Sequence, residues 1–204
     1  MRSVFIVGFV LATIPALIAQ PYDRLKQGIN IPGKVVATEE YTDAGGENVV
    51  VLSSTGVYYD LWRSHEADGY LWNNGREVIL YAFGYRMKGG MPELVWQMEA
   101  SILDCAEDIE TEFYRDAVHL TNLDKDGVKE IWIMYREGCQ AAPGPQGLHL
   151  LMVEGNTKHA MDGRTRYKTP NGIVTGGEYK FDAAFRKAPV QMREYAKRMW
   201  TAAN

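Results

Sequence analysis

The sequence predicts a mainly β fold of the α+β class: an antiparallel β-sheet domain with a C-terminal amphipathic helix packed on the sheet. Short runs of β-branched and aromatic residues, separated by turn residues, fill most of the chain. Near the C-terminus the pattern changes, and apolar residues recur at the spacing of an α-helix. The chain is of the length expected for one well-packed domain, and it shows no internal repeat.

The N-terminus predicts a secretory signal peptide. Arg2 precedes the apolar run Val4–Ile18, and Ala19 suits the last position before a cleavage site. Residues 1–19 are then the leader, and residues 20–204 form a single β-rich domain in the periplasm or outside the cell. An uncleaved N-terminal anchor is the alternative, although the apolar run is short for a membrane span and no other such run follows it.

The charge balance excludes some partner classes. Without Arg2, the 22 basic residues become 21 against 26 acidic residues, a net charge of −5. A mildly acidic surface argues against nucleic acid and against anionic membranes as partners.

Turn residues divide the β-like runs from one another. The pair Asn74-Gly75 is a strong hairpin signal, and Lys88-Gly89-Gly90 turns the chain again. Two polar stretches, Gly138–Gly147 and Asn156–Gly177, are predicted to be loops. The predicted strands, in chain order, are Lys34–Tyr41, Asn48–Ser53, Val57–Trp62, Tyr70–Trp72, Glu77–Tyr85, Glu93–Ala100, Ile109–Tyr114, Ala117–Thr121, Ile131–Arg136 and Leu148–Glu154.

The last element is predicted to be an amphipathic helix that begins at Pro189, a residue well suited to a helix start. Its apolar stripe should pack on the sheet. The stripe consists of Met192, Tyr195, Ala196, Met199 and Trp200.

Two cysteines, Cys105 and Cys139, both lie in the exported part of the chain. An oxidising compartment favours a disulfide between them, which would stabilise the fold by about 3–4 kcal/mol in the chain-entropy model. The alternative is two free, buried thiols.

The segment between these cysteines contains the pattern of a calcium loop. Oxygen-bearing side chains occupy its first, third and fifth positions, and Gly127 follows at the turn. Position twelve, which is Glu in an EF-hand, is Ile133, so we expect a shorter loop between two strands. The predicted calcium ligands are the side chains of Asn122, Asp124, Asp126 and Glu130 and the backbone carbonyl of Val128.

The same residues also form a good turn without a metal, because Asn and Asp bond their own backbone and Gly accepts positive φ. Lys125 and Lys129 dilute the negative charge. If calcium binds, we expect a structural ion rather than a catalytic one. The acids at Asp104, Glu107, Asp108, Glu110 and Glu112 form either a solvated strand edge or a further part of this ion site.

Several segments together resemble a family of small exported bacterial proteins, mainly from Bacteroidetes, labelled "surface polysaccharide biosynthesis protein". The resemblance covers roughly the last hundred residues. It implies export, one compact domain and a link to the cell envelope, and it supplies no catalytic residues. The chain departs from the family pattern at Gln140–Gly147. The segments that carry the resemblance are Asp104–Phe113, Leu120–Tyr135, Val153–Gly155, Ala160–Gly163, Gly176–Asp182, Ala188-Pro189 and Tyr195–Trp200.

No convergent catalytic set is visible in the sequence. The histidines, at positions 65, 119, 149 and 159, do not pair at metal-ligand spacing, and neither a nucleophile elbow nor a phosphate loop is present. We expect His119 and His149 to be half-buried strand residues.

These observations favour an exported, non-catalytic envelope domain with a structural calcium ion. Its role would lie in surface polysaccharide assembly or in recognition of an envelope protein or glycan. The alternative is a carboxylate-based hydrolase of envelope polysaccharide, which would combine acids of Asp104–Glu112 with the Asn156–Gly177 loop.

Overall fold

A computed structural model describes Leu25, residues 28–59 and residues 75–204. The predicted signal peptide, the predicted strand Tyr70–Trp72 and the end of the predicted strand Val57–Trp62 lie outside these residues.

The first sheet is antiparallel and has the order β1-β2-β4-β5, with the short β3 beside the start of β4. The turn between β4 and β5 contains Gly89 and Gly90, both at positive φ, as the sequence predicts. The strands are β1 (Lys34–Asp43), β2 (Gly46–Ser54), β3 (Tyr58–Tyr59), β4 (Arg76–Lys88) and β5 (Met91–Cys105).

The second sheet is also antiparallel, and its order is β14-β11-β10-β8-β7. Two short ladders, β6 with β9 and β12 with β13, lie outside the two main sheets. The strands are β6 (Asp108–Ile109), β7 (Glu112–Thr121), β8 (Glu130–Glu137), β9 (Cys139–Gln140), β10 (Gly147–Glu154), β11 (Thr157–Arg164), β12 (Tyr167–Lys168), β13 (Val174–Thr175) and β14 (Tyr179–Phe181).

The two sheets pack face to face and form a β-sandwich. Successive side chains of a strand point to opposite faces, so each sheet contributes alternate residues to the shared core. Val50, Leu52 and Trp96 of the first sheet pack with Ile133 and Val153 of the second sheet, and all five are buried.

The helix α1 (Val190–Ala203) covers the outer face of the second sheet. Its buried residues Met192, Ala196 and Trp200 pack in one cluster with Trp132 and Met152 of the sheet. Pro189 is the N-cap residue, as the sequence predicts. The structure confirms the predicted fold class, an antiparallel β domain with a C-terminal helix packed on it.

No helix in the described part of the chain combines the length and the apolar character that a bilayer span requires.

The predicted loop Asn156–Gly177 is wrong, because this stretch contains β11 and the hairpin formed by β12 and β13. Gly163, which suggests a loop in the sequence, has a packing role in β11. A Cβ at this position would lie 2.0 Å from the carbonyl oxygen of Glu178, so only glycine lets β14 pair so closely.

The two predicted strands Ile109–Tyr114 and Ala117–Thr121 correspond largely to one strand, β7, which carries an irregularity between Phe113 and Val118.

Candidate metal centre

The loop between β7 and β8 folds around its own side chains. Asp124 Oδ1 accepts a hydrogen bond from the Asp126 amide at 3.2 Å, and Asp126 Oδ1 accepts one from the Val128 amide at 2.7 Å. Lys125 and Gly127 adopt positive φ, which bends the chain tightly between these bonds. The loop therefore has the local geometry that its Asn-x-Asp-x-Asp-Gly pattern predicts.

The turn between β1 and β2 anchors this loop to the first sheet. The Ala44 amide donates to the Gly127 carbonyl at 2.9 Å, and the Lys129 amide donates to Asp43 Oδ2 at 3.3 Å. The other oxygen of Asp43 accepts from the Gly45 amide and from Asn48 Nδ2. One carboxylate thus connects the two sheets at this end of the sandwich.

Glu130 is the fixed carboxylate of the site, and its side chain is fully buried. The Leu123 amide donates to both of its oxygens, at 2.8 and 3.0 Å, and the Thr121 hydroxyl donates to Oε2. Thr121 Oγ1 in turn accepts a hydrogen bond from Trp132 Nε1 at 2.7 Å. This chain of bonds fixes the Glu130 carboxylate from the core side.

Glu130 meets two other carboxylates at this point. One oxygen from each of Asp124, Glu130 and Glu154 lies within 4.8 Å of the others. Glu154 ends β10 directly opposite Glu130 in the ladder between β8 and β10. The cluster, which we call the carboxylate triad, therefore joins the β7–β8 loop to the turn between β10 and β11.

The triad concentrates negative charge with few compensating donors. Burial, together with the charges of Asp124, Asp126 and Glu130, raises the pKa of Glu154 to about 7. No lysine, arginine or histidine of the described residues forms an ion pair with the triad. Glu154 Oε1 and, in the β7–β8 loop, Asn122 Oδ1 are buried and accept no hydrogen bond. A cation bound at the triad would give the Glu154 oxygen a partner and offset the repulsion.

Of the predicted ligands, the structure brings Asp124 and Glu130 together. Asp126 lies outside the triad, although its charge acts on Glu154. The side-chain oxygen of Asn122 is buried. The backbone amide of Val128 donates a hydrogen bond to Asp126 Oδ1. Sequence reasoning missed Glu154, because only the register of β8 with β10 places it opposite Glu130.

The acids between Asp104 and Glu112 do not complete the triad. They lie at the opposite end of β8, beside the disulfide between Cys105 and Cys139, which the structure confirms with a Cα–Cα distance of 6.0 Å. The β6–β9 ladder, in which Ile109 is opposite Cys139, braces the chain next to this bridge.

A cleft of about 400 Å³ opens at this disulfide end. It joins the segment with Asp108 and Glu110 to residues 165–167, the two regions that the hydrolase hypothesis combines. Both carboxylates come from one short segment, however, and both are engaged. Asp108 pairs with Arg76 at 3.3 Å, and Glu110 accepts from Gln146 and lies 3.9 Å from Arg136. A glycosidase instead places two acids on opposite sides of its substrate.

His149 lies at the same end, between two carboxylates. Its Nδ1 is 2.9 Å from Asp162 Oδ1, its Nε2 is 3.4 Å from Glu137 Oε2, and its ring stacks on Tyr135. Burial alone would lower the pKa of His149, but the hydrogen bonds and charges of the two acids raise it to about 9. His149 is a half-buried strand residue, as predicted, and both ring nitrogens have partners. His119 also lies in a strand but is exposed, so the prediction that it is half-buried is wrong.

No family model, curated protein or solved structure gives a significant match to the chain. The resemblance to exported polysaccharide-related proteins therefore stays a prediction from the sequence.

Proposed function

We propose that the chain is an exported, non-catalytic domain of the cell envelope that is stabilised by a calcium ion at one end and by the disulfide at the other. Its role would be to recognise an envelope protein or glycan, or to support the assembly of surface polysaccharide. The carboxylate triad of Asp124, Glu130 and Glu154 is the observation that carries this proposal.

The chemistry of the triad favours calcium over other metals. Carboxylate oxygens are hard ligands, and neither histidine nor cysteine contributes to the cluster. Calcium accepts six to eight oxygen ligands in flexible geometry, whereas magnesium demands a nearly ideal octahedron. The loop offers Asp126 and the oxygen of Asn122 as further donors next to the triad. Carboxylates from two separate turns suit the larger and more tolerant ion.

Export is supported by the bond between Cys105 and Cys139 and by the predicted leader at residues 1–19. Disulfides persist in the periplasm and outside the cell, and calcium sites of extracellular modules have millimolar to submillimolar affinity. A weak site that joins two turns is useful where calcium is plentiful, because it can remain loaded there.

A binding role is favoured over hydrolysis by the pairing of the cleft acids with Arg76, Arg136 and Gln146. The predicted departure from the family pattern, Gln140–Gly147, supplies part of the cleft wall. Because this part of the wall differs from the family pattern, a partner that contacts it would bind this chain and not the other members of the family. The resemblance to surface polysaccharide proteins supports a glycan or an envelope protein as that partner.

Isothermal titration with calcium tests the proposal. The wild-type protein should bind about one ion, and Asp124→Asn should weaken binding at least tenfold because a charged ligand is lost. Asp108→Asn removes an exposed carboxylate from the opposite end of β8 and is the matched control. The absence of calcium binding to the wild type, or equal weakening by both variants, would contradict the proposal.

A further inference from the structure

Charge is divided unequally along the chain. Residues 156–204 contain ten basic and four acidic residues, a net charge of +6, while residues 1–155 contain twelve basic and twenty-two acidic residues, a net charge of −10. The basic segment forms β11 and β14 at one edge of the second sheet, the separate β12–β13 hairpin, and α1. Within it, Arg164, Arg166 and Lys168 are exposed in or next to the hairpin. The overall charge of −4 therefore averages over an acidic part of the chain and a basic C-terminal segment.

The cations of this segment are largely not neutralised by the chain itself. Among the ten, and within the described residues, Lys197 alone forms an ion pair with a carboxylate, that of Glu194. Arg164, Arg186 and Arg193 donate instead to backbone carbonyl oxygens. Among the described residues before position 156, Arg76, Lys88 and Arg136 pair with carboxylates.

The β12–β13 hairpin carries an exposed apolar tip within this basic segment. Ile173 is 62% exposed and Val174 is 53% exposed. The turn is well ordered, because the Thr169 amide donates to the Ile173 carbonyl at 2.8 Å and the Gly172 amide donates to the Thr169 carbonyl at 2.9 Å. Val174 is directly opposite Lys168 in the ladder, so the two side chains share one face of the hairpin.

We infer that this hairpin and the surrounding basic surface bind an anionic lipid bilayer. Lys168, Arg166 and their neighbours would contact the lipid phosphates, while Ile173 and Val174 would enter the boundary between headgroups and acyl chains. A rigid turn that presents two large apolar side chains to water gains more at this boundary than on a polar protein surface. The inference is independent of calcium binding.

The net charge of −5 that disfavours an anionic membrane is an average over the whole exported chain. A bilayer, however, interacts with the nearest surface, because the potential of anionic lipids decays within a Debye length. A basic hairpin can therefore bind an anionic bilayer although the net charge of the whole chain is negative.

Vesicle co-sedimentation tests the inference with the purified exported protein, its N-terminus identified by mass spectrometry. Vesicles of equimolar phosphatidylcholine and phosphatidylglycerol should bind the protein, and vesicles of phosphatidylcholine alone should not. Lys168→Gln should weaken binding about fivefold, since one cation near an anionic surface contributes about that factor. The double variant Ile173→Ser with Val174→Ser should weaken it about tenfold or more.

Matched control variants lie on the first sheet. Lys88→Gln removes an exposed cation, and Met91→Ser removes an apolar side chain that is 72% exposed. Both should bind vesicles like the wild type. All variants have the same N-terminus, so any contribution of the N-terminus to vesicle binding is the same in each. Differences in binding between variants are therefore caused by the substitutions. The series is run in calcium and in chelator, and the result should be the same.

Three results would overturn the inference: no sedimentation with anionic vesicles, equal sedimentation with neutral vesicles, or equal loss in the control and hairpin variants. Binding to soluble polyglutamate without binding to vesicles would also overturn it, in favour of an acidic protein as the partner of the basic surface.

Discussion

The two ends of β8 place similar groups of acids in opposite electrostatic settings. At the disulfide end, Glu137 and Asp162 enclose the imidazole of His149, a cation supplied by the chain. At the other end, Glu130 joins Asp124 and Glu154, and no basic side chain of the described residues pairs with them. The same strands thus build one group of acids that the fold neutralises and one that, in our proposal, a calcium ion from solution neutralises.

The two ends of the sandwich should therefore be stabilised in different ways. The disulfide end is held by a covalent bond and by internal ion pairs, so its contribution should not depend on dissolved ions. The triad end should contribute less to the unfolding free energy in a chelator than in calcium. The two ends are separated by the length of β8, about 25 Å at the usual rise per residue, so their contributions should be nearly additive.

Removal of the disulfide should have the largest effect. The double variant Cys105→Ala with Cys139→Ala should lose about 3–4 kcal/mol of unfolding free energy, because the bridge closes a loop with a sequence separation of 34 residues. Urea denaturation measures this loss, which should be equal in calcium and in chelator. A reductant, the control, should destabilise the wild type and leave the variant unchanged. A loss that appears only in chelator would mean that the two ends are not independent.

Calcium should have the next largest effect. A concentration one hundred times the dissociation constant should add about 2.7 kcal/mol to the unfolding free energy of the wild type. The increment should be the same in the double cysteine variant, since the disulfide is remote from the triad. Thermal unfolding in calcium and in chelator measures it. An unchanged midpoint in the wild type would show that the triad holds no calcium.

His149 should make stability depend on pH. The folded state raises its pKa to about 9, above the ordinary value near 6.5, so the ion pairs contribute fully below that ordinary value. As the pH rises from about 6.5 through about 9, the protein should lose about 1–3 kcal/mol. Urea denaturation across this range should show a smaller loss for His149→Gln, while His119→Gln, at an exposed site, should behave like the wild type. Parallel curves for all three proteins would refute this role.

Asp43→Asn should have the smallest effect. Asp43 accepts from the Lys129 amide with one oxygen and from the Gly45 amide with the other, and asparagine keeps only one acceptor. We expect a loss of about 1 kcal/mol, measured by urea denaturation, and weaker calcium binding because the loop is less firmly anchored. Glu93→Gln, at an exposed pair with Lys88, is the control and should cost less. Equal losses would mean that Asp43 does not connect the sheets.

Local patterns predicted much of the fold and part of the site. The continuous apolar run from Val49 to Leu52 predicts a strand that is buried on both faces, and the structure buries all four residues. The helical spacing of Met192, Ala196 and Trp200 likewise predicts the buried face of α1. Asp124 and Glu130 are close in sequence, so their meeting could be predicted from the loop pattern.

The remaining features depend on pairing between distant strands. Glu154 becomes part of the triad only through its register opposite Glu130, and Gly163 is explained only by the approach of Glu178. The basic character of residues 156–204 is visible in the sequence, but the exposed position of Ile173 at the hairpin tip is not. Register and surface position are long-range properties that no single segment encodes.

The most direct test of the triad is Glu154→Gln, measured by thermal unfolding in calcium and in chelator. In chelator the variant should be at least as stable as the wild type, because one of three mutually repelling carboxylates is gone. In calcium it should be less stable, because a charged ligand is lost. A variant that is equally destabilised in both conditions would contradict the account, since Glu154 would then be a structural residue and not a cation ligand.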